Sequence, residues 1–146
     1  MGHSYGHLVR QVITQVGANE ILDYGAGKQS LKQYIYPGVF YRAYDPAVAE
    51  ISEPPAPAQF VSCIDVLEHI EPDLLDNVLD DLKRLTVGAL FATVHTGPAI
   101  KVLSDGRNAH LIQEPMKWWL PKFWDRFDIK TVTADDHGFW LVAYAC

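Results

Sequence analysis

The chain has 146 residues, 49% of them hydrophobic and 21% charged, a balance that fits one globular domain over residues 1–146 with a real core and no room for a separate substrate domain. The formal net charge is −6 and the Lys and Arg residues are scattered, so nucleic acid is not indicated as a partner, although a local basic groove stays open; no apolar run approaches the roughly 18 residues of a membrane span. The N-terminus carries neither a basic patch ahead of an apolar core nor a myristoylation pattern after Gly2, which makes the cytoplasm the expected location.

Ser4 is placed to cap a first helix whose apolar face, Leu8, Val9, Val12, Ile13 and Val16, recurs at helical spacing and ends at Gly17. A first strand over Glu20 to Asp23 runs into the turn Gly25-Ala26-Gly27, where glycines permit a tight backbone whose amides approach a ligand closely. A Walker phosphate loop is excluded, because Gln29 follows Lys28 and Leu22 occupies the place of the required upstream glycine. A dinucleotide fingerprint survives loosely as Gly25-x-Gly27-x-x-Ser30. A short helix is expected from Ser30 to about Tyr36, broken by Pro37-Gly38, with its positive dipole end aimed at whatever the turn holds. The second strand, Phe40 to Tyr44, delivers Asp45 and Pro46 about 20 residues past the glycines, where α/β nucleotide sites use an acid to bind ribose hydroxyls.

The proline-rich interval from Ala47 to Gln59 cannot be helix or central strand throughout. Phe60 to Ile64 reads as a buried parallel strand, and Asp65-Val66-Leu67-Glu68-His69-Ile70 follows at its carboxyl end, where ligands bind in open α/β sheets. Glu68 reads as a solvated or helix-start charge. A helix marked by Pro72 presents Leu74, Leu75, Val78, Leu79, Leu82 and Leu85 as its apolar face. Ala89 to Val94 is a further buried strand that ends at His95. A turn through Asp105-Gly106 precedes Asn108, His110, Trp118 and Trp119, of which Asn108, His110 and Trp118 read as a substrate-facing wall. Ile129 to Thr133 and Phe139 to Ala145 form a terminal hairpin. Cys63 and Cys146 read as two buried thiols, with no disulfide framework and no metal site.

Asp23-Tyr24-Gly25-Ala26-Gly27, Tyr44-Asp45-Pro46, Asp65 to Ile70, and Asp105-Gly106-Arg107-Asn108-Ala109-His110 followed by Trp118-Trp119 together resemble short class I S-adenosylmethionine (SAM) dependent methyltransferases of phages and bacteria over nearly the whole chain. The resemblance departs at Gln29, where that motif often has a further glycine. It implies an α/β fold, a Rossmann-like class I methyltransferase sheet with a terminal antiparallel hairpin; since the interval 47–59 cannot hold a helix, a strand and another helix, the third edge strand is expected to be truncated or missing. It also implies SAM as cofactor and S-adenosylhomocysteine as product. Asp23, Gly25, Ala26, Gly27, Asp45, Pro46, Asp65 and Val66 would hold the cofactor, and the N-terminal helix would bring Tyr5 and His7 near it.

Methyl transfer asks the protein to align a nucleophile and remove its proton if it has one. His69 is the first choice for that base or positioning group, then His110, with Asp65 orienting. The signature of nucleic-acid amino-methyltransferases and a Pro-Cys nucleophile are both absent, which points to a small-molecule acceptor of unknown identity. SAM hydrolysis or lyase cleavage, and a non-catalytic binding subunit, stay open as alternatives. A truncated edge and exposed tryptophans would permit dimerisation without requiring it.

Overall fold

The computed structural model describes residues 2–146, with side chains from residue 5 onward. Strands β1 (Glu20–Tyr24), β2 (Phe40–Tyr44), β3 (Ala58–Ile64), β4 (Thr86–His95), β5 (Phe127–Ala134) and β6 (Gly138–Ala145) form one sheet in the order β2-β1-β3-β4-β6-β5. The first four are parallel, and β6 runs antiparallel to both β4 and β5. The inner parallel strands β1, β3 and β4 are buried on both faces and mainly apolar, and successive residues serve opposite layers; β2, at the edge, is half-exposed.

On one face, α1 (Gly2–Val16) buries Val9, Val12 and Ile13 against Ile21, Phe60, Ile64 and Phe91. The helix starts before Ser4, whose capping role falls on a side chain outside the described residues. On the other face, α2 (Leu75–Leu85) and α3 (Met116–Trp124) set Leu75, Leu79, Leu82, Leu85, Trp119 and Phe123 against Leu22, Val61, Leu90 and Leu141. Each fully buried leucine of this layer contributes about 2 kcal/mol relative to an exposed one. Leu74 does not join them: Pro72–Leu74 is a single 3-10 turn ahead of α2, its tighter winding changes the phase, and Leu74 is exposed.

The outer parallel edge is short, as the sequence implies. Among the described residues no strand lies beyond β2, and the segment that would carry one holds only a 3-10 turn at Ala49–Ile51. That segment is strapped along β2: the Asp45 amide donates to the Ile51 carbonyl at 2.9 Å, and the Arg42 guanidinium donates to the carbonyls of Ala56 and Pro57 at 3.0 Å each.

Two expectations are corrected. The helix after the glycine turn is a five-residue 3-10 segment, Ser30–Tyr34, too short to supply a macrodipole, because Pro37-Gly38 leaves it no length. Cys63 is buried on β3, and burial pushes its thiol pKa up; Cys146, however, is exposed beyond the end of β6, its Sγ 3.3 Å from the Arg126 carbonyl. Among the described residues no helix is long and apolar enough to cross a membrane.

Candidate functional site

The carboxyl ends of β2, β1 and β3 bring Asp45, the Gly25-Ala26-Gly27 turn and Asp65 side by side. Two cavities, about 300 and 530 Å³, flank the turn; Gly25, Gly27 and Asp65 border both. The smaller is lined further by Asp23, Ala26, Lys28 and Ser30, and the larger by Tyr44, Asp45, Pro46, Val66 and His69. All eight residues named for the cofactor, together with His69, therefore border one cleft.

The turn works differently from the sequence expectation. Gly25 and Gly27 both have positive φ, 78° and 53°. Their amides do not open into the cleft: Gly25 and Ala26 donate to the Tyr44 carbonyl at 2.7 and 3.0 Å, and Gly27 donates to Asp45 Oδ2 at 2.9 Å. What the turn gives the cleft is space. A Cβ on Gly25 would collide with the Val66 side chain, and one on Gly27 would stand in the open cavity. Gln29 keeps the left-handed conformation, φ 60°, that a glycine would take without strain.

Asp45 is partly committed to structure, its Oδ1 accepting from the Ala47 amide at 2.9 Å while Oδ2 ties down Gly27. Each carboxylate oxygen retains lone-pair capacity toward the cavity. Asp65 is held at φ 54°, a strained conformation for a side-chain-bearing residue, by Thr93: the Asp65 amide donates to Thr93 Oγ1 at 2.9 Å, and that hydroxyl donates to Asp65 Oδ1 at 2.8 Å.

Asp23 is the buried charge of the smaller cavity. It is 4% exposed, accepts from the Tyr41 hydroxyl at 2.6 Å and the Ser62 hydroxyl at 3.2 Å, and among the described residues no cation pairs with it. Burial pushes its pKa up to about 6, with the two hydroxyls opposing. Because folding raises this pKa from near 3.8, Asp23 stabilises the fold most when protonated, below about pH 4, and that contribution disappears as pH climbs through 6. Asp23→Asn is expected to escape the loss, so that its stability relative to the parent rises by roughly 2–3 kcal/mol between pH 4 and 7. Urea unfolding of both proteins across that range checks this; a constant difference would show that the carboxylate is not penalised.

Behind the cleft the structure assembles a row of imidazoles that no local spacing announced. His69 and His110 rings lie 4.8 Å apart between centroids, His110 and His95 4.7 Å, and His95 and His137 5.4 Å. His69 Nδ1 lies 3.0 Å from the Ala109 carbonyl and His110 Nδ1 2.7 Å from the Gly97 carbonyl. A carbonyl only accepts, so Nδ1 carries the proton in both rings and Nε2 keeps the lone pair. The Ala109 carbonyl, rather than Asp65, orients His69. Burial and the neighbouring His110 hold the His69 pKa below its ordinary value. Glu68, expected at the surface, is fully buried under this row; its Oε2 accepts from the His95 amide at 3.0 Å, and burial pushes its pKa up to about 8.

The wall of Asn108, His110 and Trp118 does not form. Asn108 braces its own loop, accepting from the Ala99 and His110 amides at 2.9 Å each and donating to the Ala99 carbonyl. Trp118 packs edge-on against the buried Trp119, with Lys122 Nζ 4.7 Å above its ring. Tyr5 donates to Asp135 at 3.0 Å and His7 lies edge-on against Tyr34; neither lines the cleft.

A parallel half that carries the cleft and an antiparallel hairpin at the far edge make this the Rossmann-like fold of class I methyltransferases. Solved structures similar to it include 1,6-didemethyltoxoflavin-N1-methyltransferase of Burkholderia thailandensis, at 13% identity and a TM-score of 0.73 over 98% of this chain and 79% of that one. Magnesium protoporphyrin IX methyltransferase of Synechocystis PCC 6803 follows at 16% and 0.72 over 99% and 84%. The 16S rRNA methylase ArmA gives 17% and 0.64 over 97% and 82%. No protein-family model matches the chain, and neither does any curated protein.

Proposed function

We propose that the chain is a SAM-dependent methyltransferase acting on a small-molecule acceptor. The observation that carries this reading is the pair of adjoining cavities: the glycine turn and Asp65 border both and Asp45 lines the larger, at the carboxyl edge of a sheet with the class I methyltransferase fold. The smaller, acidic cavity suits the amino-acid end of SAM, where the uncompensated charge of Asp23 meets the ammonium group. The larger cavity, with Asp45 at its rim and Pro46 and Val66 in its wall, suits the nucleoside: a carboxylate for the ribose hydroxyls and apolar contact for the base. The solved structures of the two small-molecule methyltransferases include S-adenosylhomocysteine, which supports the same ligand here.

In the transfer, the acceptor's nucleophilic atom bonds to the methyl carbon as the carbon–sulfur bond breaks, the electron pair stays on sulfur, and any acceptor proton passes to a base. His69 borders the cleft with its Nε2 lone pair unclaimed by Ala109 and takes that role, with His110 behind it. The net charge of −6 supports a small acceptor over a polyanion.

Thermal unfolding with SAM, S-adenosylhomocysteine, NAD and ATP tests the binding half. The first two are expected to stabilise the protein by about 2.7 kcal/mol at 100 times their dissociation constants, and the others not at all. Stabilisation by NAD instead, or by none of the four, would overturn the reading. Methyl-labelled SAM offered to a panel of small phenols, amines and carboxylic acids tests the transfer.

A further inference from the structure

Glu68, His69 and His110 make a second feature beside the cleft. One ligand-capable atom from each lies within 4.8 Å of the other two. Ligands on a single ion with bonds of about 2.1 Å stand roughly 3–3.5 Å apart, so closure of the widest pair by roughly 1.3–1.8 Å completes the set. His69 is the exposed member, so it and the loop carbonyl that holds it are the part of the set with room to shift.

Three independent details point inward. Glu68 is 0% exposed and its Oε1 has no hydrogen-bond partner among the described residues, while Oε2 is anchored by the His95 amide at 3.0 Å. A buried carboxyl oxygen without a partner is costly, and a bound cation is one partner that removes that cost. Both imidazoles donate Nδ1–H to main-chain carbonyls, Ala109 for His69 and Gly97 for His110. That outer contact fixes the tautomer and ring orientation of a metal-binding histidine and leaves Nε2 as donor to the ion. The supporting carbonyls are themselves set by the 96–115 loop: Asn108 pins Ala99 and the His110 amide, and Arg107 ties the loop to Glu71 at 2.8 Å.

We infer that Glu68, His69 and His110 form a binding site for a divalent first-row transition-metal ion, at the edge of the cleft where the acceptor would lie. Two neutral imidazoles and one carboxylate suit Mn²⁺, Fe²⁺, Co²⁺ or Zn²⁺ better than Ca²⁺, which prefers an all-oxygen shell. Three protein ligands leave coordination positions open toward the cleft, since His69 borders the larger cavity. With an ion in place the two Nε2 lone pairs would be its ligands, so His69 would serve as the proton acceptor only in the metal-free protein. The inference is independent of the nucleoside reading, because it is tested without any nucleoside.

Protein without an affinity tag, stripped with EDTA and titrated with Co²⁺, is the direct test. One equivalent of Co²⁺ is expected to bind at micromolar concentration with visible d–d absorption, and Zn²⁺ is expected to abolish that absorption by displacement. His69→Ala, His110→Ala and Glu68→Gln should each weaken binding at least 10-fold, and His7→Ala, at a histidine outside the group, should leave it unchanged. Unfolding midpoints in EDTA identify variants that fail to fold; should Glu68→Gln be one, His69→Ala decides, because that side chain is exposed. No saturable absorption up to millimolar Co²⁺, or parental affinity in a folded His69→Ala protein, would overturn the assignment.

Discussion

Asp45→Ala is expected to weaken S-adenosylhomocysteine binding by about two to four orders of magnitude. In the proposed complex the carboxylate accepts two ribose hydroxyls, and charge-assisted hydrogen bonds of this kind contribute about 1.5–3 kcal/mol each. The substitution also removes the acceptor for the Gly27 amide at 2.9 Å and for the Ala47 amide at 2.9 Å, so the turn loses its tie to the end of β2. Asp45→Asn separates the two effects. Its one amide oxygen can still accept from Gly27, which keeps the turn tied, while the NH2 in place of Oδ1 gives up the Ala47 amide together with the charge; a smaller deficit, about 10-fold, is expected. Isothermal titration with S-adenosylhomocysteine measures both. Parental affinity in Asp45→Ala would mean that no ligand hydroxyl meets this carboxylate, and the placement of the nucleoside in the larger cavity would fail with it.

The second large effect falls on stability. Trp119 is 0% exposed, lies 5.1 Å from Trp118 between ring centroids, and donates its indole N–H to the Glu114 carbonyl at 3.1 Å. Trp119→Ala empties the centre of the layer formed by α2 and α3 and is expected to cost about 3–5 kcal/mol, lowering the thermal midpoint by roughly 10 °C. Trp119→Phe retains most of the volume and loses the hydrogen bond, which leaves the Glu114 carbonyl without its partner; about 1–2 kcal/mol is expected. Denaturant titration separates the two. Equal losses for Ala and Phe would show that the hydrogen bond, rather than packing, fixes α3. Since α3 directly follows the loop that carries His110, the Ala variant is also expected to bind Co²⁺ more weakly than its global stability alone would explain.

The parts of the fold that read clearly from sequence were those set by burial on two faces. Phe60 to Ile64 and Ala89 to Val94 are apolar runs, interrupted only by Ser62 and Thr93, because a parallel strand covered by helices on both sides has no solvent side to alternate with. Leu8 to Val16 showed helical spacing because only one face of α1 meets the sheet. The absence of a strand beyond β2 was legible from the prolines and from length. Less was legible where a polar group's partner lies far along the chain. Glu68 looked like a surface charge because its neighbour, the His95 amide, is 27 residues away. The imidazole row draws on His95 at the end of β4 and on His69, His110 and His137 from three connections, so no local spacing signals it. The turn amides were misassigned for a related reason: the Tyr44 carbonyl and the Asp45 carboxylate claim them from the next strand. Asn108 and Trp118 have the chemistry of contact residues, yet both are satisfied within their own neighbourhoods.

The strap along β2 has a consequence for how the molecule behaves in a crowd. A bare lateral strand offers its amides and carbonyls as a template on which a foreign polypeptide can seed fibrillar growth. Here the edge strand is only five residues long; past its end the Asp45 amide is already bonded to the Ile51 carbonyl, and the Arg42 guanidinium has claimed the carbonyls of Ala56 and Pro57. So short a margin, followed by prolines that offer no N–H, gives an incoming polypeptide little to extend upon.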